Sequence, residues 1–540
     1  MRKQDMFAPT VPLEERVFGQ FIINQVAKHA DRNYLSFADQ KWTFSEFFRD
    51  SQNLARGLNA LGVGSQQPVI LLMNNSPEFM IAYWALSFLN AIVVPVNTSL
   101  KGATLAYLLK DVGARAVFAD AALLGNLAMV QKELLASIDV LVVVGENKNP
   151  EQPLPVKKRL SYDEVSSMGS VGETICAPAK FDDTHLIPYT SGTTGPSKGV
   201  LVPYAQTFQT SLTCIESVGM RSDDIIYAPL PLFHGMSRSM GALPALILGA
   251  HVHLIPRFSG TNFWQDVTDV KATVGVTIFT IPPTLKARPP SALDRAHKLR
   301  VMFNGHHDPV FEERFGVQLV EAFAMTETGI VLHSKWPERR KGSSGRIGQD
   351  WEAQVVDEMD RPLPLGEVGE LVVRPKQPSI MMKGYLNKPA ETVASMKNLW
   401  FHTGDYLRAD ADGFYYFDGR KKERIRSRGE NISAYEVEAI VMQQPDVVEC
   451  AVVAYPAGDG EDDVRLVAVM KETSTLDEAA LAARIDAMLP KFMLPRYIEF
   501  RERLPKTLSG KVEKFRIVDT SLAARHWDRK AAAASTVVKV

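Results

Sequence analysis

Cysteine is scarce. Three occur in 540 residues, Cys176, Cys214 and Cys450, far apart and without any Cys-x-x-Cys spacing. That argues against a disulfide framework or a zinc site and makes a reducing cytoplasm the expected compartment. An excess of charge of one sign is also missing. Sixty-one Lys and Arg face 62 Asp and Glu, a net charge of −1, so there is no electrostatic footprint of a nucleic-acid binder. Long apolar runs are absent too. The greasiest stretch, Ile81 to Val96, is broken by Asn90 and Pro95 and falls short of the ~20 residues a bilayer span needs. Residues Met1 to Phe21 mix charges and prolines with no apolar segment, so no signal peptide is expected. No internal repeat is visible.

What is present is an ordinary globular composition, 46% hydrophobic, and length for roughly three or four domain-sized units. From residue 42 to about 145 helical periods alternate with apolar strands. Ser45 to Leu61, Pro77 to Leu89 and Leu105 to Asp111 read as helices. Pro68 to Met73, Ala91 to Val96, Ala114 to Ala119 and Val140 to Val144 read as strands. Wholly apolar strands between helices predict a parallel sheet covered on both faces. The rhythm resumes with strands at Ala250 to Pro256, Val274 to Thr280 and Leu299 to Phe303. Between about 345 and 418 short alternating strands (Ala353 to Val356, Gly369 to Arg374, Gly413 to Phe417) predict a β subdomain. After the basic run Arg420 to Arg428 a compact αβ pattern follows. It has helices at Ala434 to Met442 and Leu476 to Leu489, and strands at Glu449 to Ala454 and Arg465 to Met470.

The chain's most distinctive stretch is Tyr189-Thr-Ser-Gly-Thr-Thr-Gly-Pro-Ser-Lys-Gly-Val200. Glycines let backbone N–H groups converge on an anion, hydroxyls add donors, and Lys198 adds a point charge. By composition alone it could be a flexible surface loop. A Walker A loop does not fit. Counting from Gly192, Ser197 stands where the second Gly is needed, and Gly199, without a hydroxyl, follows Lys198.

This segment resembles the phosphate loop of the adenylate-forming superfamily of acyl-CoA synthetases, luciferases and adenylation domains. Further motifs carry the resemblance over about residues 15 to 520. Glu321-Ala-Phe-Ala-Met-Thr-Glu-Thr328 would by itself be only a helix start. It resembles the superfamily's Tyr-Gly-x-Thr-Glu motif, with Phe323 for the usual Tyr and Ala324 for the usual Gly. The resemblance implies that Thr326 binds the AMP phosphate and that Glu327, with Thr190, holds Mg²⁺. It also gives Glu321 and Phe323 to the nucleotide site. Trp400-Phe-His-Thr-Gly-Asp405, otherwise a turn, implies that Asp405 receives the ribose hydroxyls, with Arg420 as a second ribose or phosphate contact and Lys422 as a hinge. Leu504-Pro-Lys-Thr-Leu-Ser-Gly-Lys511 implies a catalytic Lys511 that bonds both the carboxylate and the α-phosphate. Asn304-Gly-His-His307 stands at the position of the superfamily's Gly-Gly-Ala adenine loop, and the resemblance implies that Gly305 and His306 are nucleotide contacts. Pro229-Leu-Pro-Leu-Phe-His234-Gly implies that His234 lines and gates the acyl pocket. The resemblance further implies that Thr190, Ser191, Gly192, Thr193, Thr194, Gly195 and Lys198 complete the phosphate site, and that Gly429 belongs to the face presented for the second half-reaction.

Within the superfamily, Phe258 to Trp264, Pro289 to Arg300, Arg424 to Asn431 and Lys491 to Arg496 resemble the crotonobetaine/carnitine–CoA ligases. A quaternary ammonium substrate wants an aromatic cage or an acidic partner. Gly-Met-Ser-Arg-Ser239 after His234 offers neither. Arg238 would repel an ammonium and attract a second carboxylate or a polar oxygen, unless it is only a surface ion pair.

The expected architecture is an α/β fold. A large N-terminal adenylation domain, 1–420, carries two βαβ-type sheets and a β-barrel-like subdomain. A small mobile α+β domain, 421–525, and a disordered tail, 526–540, follow. The expected function is ATP-dependent activation of a carboxylic acid to acyl-AMP and thioesterification with coenzyme A, using ATP, Mg²⁺ and coenzyme A in a cytoplasmic monomer or homodimer. An amide-forming or carrier-protein-loading enzyme, and a non-catalytic nucleotide sensor, are the alternatives.

Overall fold

The computed structural model describes residues 10–146, 154–190, 197–278, 281–304, 307–338, 340–420, 424–427, 430–457, 462–486, 488–506, 511–518, 521–522 and 525–532. The chain divides into two compact units, Met1–Glu352 with Arg374–Lys397, and Ala353–Val373 with Asn398–Val540. Among the described residues no helix is long and apolar enough to cross a membrane.

Two large sheets run through the first unit. One has seven strands in the order Val202–Pro203, Thr184–Leu186, Ile92–Pro95, Pro68–Leu72, Ala116–Asp120, Val140–Val144, Lys158–Ser161. All neighbours are parallel except the first pair. Every residue of Ile92–Pro95 and Val140–Val144 is buried, which is why these strands read as unbroken apolar runs. The helices between them start where the sequence supplies caps. Thr43 and Glu46 form a reciprocal capping box at Phe44–Ala60. Ser76 accepts from Phe79 N with Pro77 in the first turn of Pro77–Phe88.

The second sheet runs parallel through Asn33–Phe37, His251–Leu254, Ile225–Ala228, Val274–Val276, Val301–Asn304 and Gln318–Met325. It continues antiparallel through Gly329–His333 and Gly345–Ile347. The carboxyl ends of its parallel strands lead into the segments 229–234, 304–307 and 326–328. In open α/β sheets that end is where ligands bind.

The strands Gly369–Pro375, Trp400–Ala409 and Phe414–Arg420 pair antiparallel, the first through its second-unit residues Gly369 to Val373. The α+β part has a four-stranded sheet, Val447–Pro456, Asp462–Met470, Tyr497–Phe500 and Trp527–Asp528. Ala434–Val441 and Glu478–Asp486 pack on it through Val437, Val441, Leu481 and Ile485. The ordered chain runs further than the sequence predicts. Trp527 pairs with Ile498 at the sheet edge, and Arg529 makes a two-nitrogen ion pair with Asp486, so the expected disordered tail begins too early.

Candidate active site

Thr190 and Lys198 face each other across a two-stranded ribbon, Tyr189–Thr190 with Lys198–Gly199. The ribbon brings together the two ends of the Gly/Ser/Thr segment. It is anchored from outside by Tyr189 Oη, which donates to Asp111 Oδ2 at 2.7 Å, and by Tyr107 Oη, which donates to Ser197 O at 3.2 Å. Residues 382–386 run alongside. Leu386 N donates to Gly199 O, Leu201 N to Gly384 O, and Met382 N to Glu327 O. This places Tyr385 centrally. Lys198 Nζ lies 4.7 Å from its ring centroid, and its hydroxyl donates to Glu327 Oε1 at 2.9 Å. Burial, with the Glu327 carboxylate second, keeps that phenol protonated well above its ordinary range.

Glu327 is buried in a turn between the antiparallel strands Gln318–Met325 and Gly329–His333. The Thr-Glu pair is therefore at a hairpin tip, where the isolated dipeptide would suggest a helix start. Gly329 has φ +70, and a Cβ there would sit 2.2 Å from Thr210 Oγ1. Gln206 Nε2 donates to Thr326 O at 2.9 Å and fixes the turn from below. Glu321 lies beside Asn304 in the parallel register, and both are buried. Phe323 points inward at 8% exposure, while Ala324, beyond a bulge, is exposed.

His234 precedes the helical turn Gly235–Ser237. Its ring tilts against Phe233 at 4.6 Å between centroids. The approach to it is held by buried Asn75, whose Oδ1 accepts from Leu232 N and whose Nδ2 donates to Leu230 O. Arg238 is not a surface residue. It is 2% exposed, and its Nη1 donates to Leu232 O at 2.7 Å and Phe233 O at 3.4 Å. The alternative of a surface ion pair is overturned by that burial, and among the described residues no carboxylate pairs with it.

In the second unit Asp405 is buried on Trp400–Ala409, opposite Arg420 in the antiparallel register, with Arg420 Nε 3.7 Å from Asp405 Oδ1. Thr-Gly-Asp is thus part of a strand. Gly404 takes φ +72 there, and its N–H donates to Glu370 Oε1. Lys511 is exposed. Lys506 and Val512 form an antiparallel bridge that folds the chain back on itself, and Leu504, Val512 and Ile517 pack together on one face of the four-stranded sheet. The lysine therefore projects from an anchored segment.

A family model described as AMP-binding enzyme matches residues 22–386. The chain belongs to the AMP-binding enzyme family. The model of the AMP-binding enzyme C-terminal domain matches residues 436–511. Curated relatives include the crotonobetaine/carnitine–CoA ligase of Salmonella paratyphi B, 30% identical over 485 residues, which are 88% of this chain and 92% of that one. The ligase of the same name from Salmonella typhi is 31% identical over 465 residues, 84% and 88% of the two chains. Solved structures with this fold include the anthranilate CoA ligase AuaEII in complex with anthranoyl-AMP, TM-score 0.85 at 24% identity, covering 98% of this chain and 99% of that one. ATP-bound MatB from Rhodopseudomonas palustris gives TM-score 0.82 at 23% identity, covering 93% and 98%.

Within this AMP-binding enzyme, Ser191, Gly192, Thr193, Thr194, Gly195, Gly305, His306, Lys422 and Gly429 lie outside the described residues. Tyr385, Gln206 and Asn75 were not singled out from the sequence. Only Tyr385 has a local signal, Gly384-Tyr-Leu-Asn-Lys-Pro389, a turn-like segment carrying an aromatic residue. Gln206 and Asn75 act through partners more than a hundred residues away.

Proposed function

We propose that this AMP-binding enzyme joins a carboxylic acid to ATP, giving acyl-AMP and pyrophosphate, and then passes the acyl group to the thiol of coenzyme A with release of AMP. The observation that carries the reading is Tyr385, linked to Lys198 on one side and Glu327 on the other. It sets a cation and a carboxylate at a fixed spacing beside a loop rich in phosphate donors. Lys198 and the loop hydroxyls bind the polyphosphate, and Thr326 meets the α-phosphate. Lys511 neutralises charge as the carboxylate oxygen attacks phosphorus in line. Asp405, a carboxylate with two acceptor oxygens, takes the ribose hydroxyls with Arg420 beside it. Phe323, Glu321, Gly305 and His306 complete the nucleotide site. His234 lines the acyl pocket, and Lys422 is the hinge between half-reactions, with Gly429 on the face used in the second.

Glu327 and Thr190 suit Mg²⁺. They are hard oxygen donors, and among the described residues no group of three or more His, Cys, Asp and Glu could hold a metal. That favours an ion carried in on nucleotide phosphates. When bound, Mg²⁺ neutralises phosphate charge.

The test is mass spectrometry of products from enzyme, Mg·ATP and a panel of carboxylic acids, with and without coenzyme A. Acyl-CoA and AMP formed from one class of acids is the expected outcome. Acyl-AMP that persists despite coenzyme A would redirect the second step to an amine or a carrier protein. No AMP from any acid, despite ATP binding, would overturn the enzymatic reading.

A further inference from the structure

Arg238 is a buried cation. It is 2% exposed, and among the described residues no Asp or Glu pairs with it. Its Nη1 is taken by two backbone carbonyls, of Leu232 and Phe233, which are neutral dipoles. Its Nε makes no hydrogen bond among the described residues. The Tyr83 ring lies 5.9 Å from the guanidinium carbon, and its buried neutral phenol is the side chain that Arg238 faces. His185, wholly buried, is held neutral by burial first and by the Arg238 charge second, so it supplies no negative charge.

The surroundings are built for polar contact. Ser237, Ser239 and Ser211 are buried around this turn, and Ser211 Oγ donates to Ser239 O at 2.7 Å. Arg238–Ala242 is a π-helical turn, a geometry concentrated at functional sites. The two carbonyls that Arg238 grips belong to the residues just before His234. The guanidinium is therefore fastened to the segment that, on the reading above, lines the acyl pocket.

A buried guanidinium is retained at high cost unless an anion meets it, and its planar fork matches a carboxylate. We propose that Arg238 receives a second carboxylate on the acid substrate, so that this enzyme activates dicarboxylic acids. This rests on the acyl-pocket role of His234. It separates the chain from its curated relatives, whose name specifies crotonobetaine and carnitine, acids that carry a quaternary ammonium.

The test uses the full chain and pairs of straight-chain and aromatic acids, each as the monoacid and as the diacid of equal length, with carnitine as the cationic control. Formation of AMP and acyl-CoA is followed. The wild type is expected to favour the diacid in kcat/KM by about 10- to 100-fold, the size of one charged hydrogen-bonded contact. Arg238→Met is expected to erase that ratio, chiefly through the diacid KM, and Arg238→Lys to lower it. A wild type that prefers monoacids or carnitine overturns the proposal while leaving the ligase reading intact. So does a diacid preference unchanged in Arg238→Met. If Arg238→Met fails to fold by circular dichroism, the wild-type ratio and Arg238→Lys decide. No AMP from any acid would overturn the ligase reading and this inference with it.

Discussion

Tyr385 holds Lys198 and Glu327 apart at a set distance, one through its ring face and one through its hydroxyl. Tyr385→Phe keeps the ring and removes the hydroxyl. The expected result is a loss of about tenfold in kcat/KM, the scale of one hydrogen bond to a charged group, with a higher Mg²⁺ requirement. Unaltered ATP–pyrophosphate exchange would show that the hydroxyl does not matter. Lys511→Ala is expected to slow adenylation by ~10²-fold or more while sparing transfer from supplied acyl-AMP to coenzyme A. Equal loss of both steps would assign Lys511 a structural role. A different pair of residues sets the acid limit. Ser36 Oγ lies 2.8 Å from both His251 Nε2 and His253 Nδ1. Burial, aided at His251 by His253 and at both by Lys41, pushes the two imidazoles from 6.5 down to about 4. The unfolded chain takes up these protons as pH falls through 6.5, and the folded chain does not until about 4. Stability is therefore full above 6.5 and declines between 6.5 and 4, by about 1.4 kcal/mol per pH unit per histidine. Melting temperatures across that range should fall, and less steeply in His253→Gln.

At the scale of elements, Tyr204–Val218 explains both the stability of the site and the limit of reading it. All its residues but Glu216 are buried, although seven of its fifteen are Thr, Ser or Gln. Without an apolar stripe there is no helical period to find. Thr207, Thr210 and Ser211 donate to carbonyls one turn back, while others of its polar side chains reach partners distant in sequence. Gln209 Nε2 donates to Asp350, Ser217 Oγ to Ser334 O, and Gln206 to Thr326 O. By contrast Pro68–Leu72, Pro77–Phe88 and Val140–Val144 were legible almost to the residue, because runs of apolar side chains, turn residues and caps mark them locally. The hairpin at Glu327 shows the same divide. Gly329→Ala would force a Cβ against Thr210 at a φ of +70, costing about 1–3 kcal/mol. Thermal unfolding and adenylation should both suffer, and Thr210→Ala in the same chain should restore part of the loss. No rescue would mean that backbone strain alone is responsible.

At the scale of the whole molecule, the second unit contains a fully buried ion pair, Arg465 Nη2 to Glu499 Oε1 at 2.8 Å, both residues at 0% exposure. Arg465 also donates to Ile517 O and Ser521 O, so it ties the segment after Lys511 to the sheet. Removing Glu499 takes away the carboxylate that Arg465 shares with Arg501. Glu499→Leu is expected to lower the stability of this unit by about 3–5 kcal/mol, read as an earlier transition in denaturant. An unchanged midpoint would show the pair to be dispensable. If Lys422 is the hinge, Lys422→Pro should retain ATP–pyrophosphate exchange and lose acyl-CoA formation. Loss of both steps would argue against it.

The sequence by itself determined the alternation of strands and helices, the mismatch of the Gly/Ser/Thr segment to a Walker A loop, and the chemical types at Thr326, Glu327, Asp405 and Lys511. These are local properties, written in neighbouring residues. Only the tertiary structure decided that Tyr385 joins Lys198 to Glu327, that Gln206 carries the Thr326 turn, and that Arg238 is buried without an acidic partner among the described residues. Each of those depends on which atoms lie across a sheet end or beneath a loop, and on the cost of leaving a polar group or a charge without water there. Neither cost is visible from the order of residues along the chain.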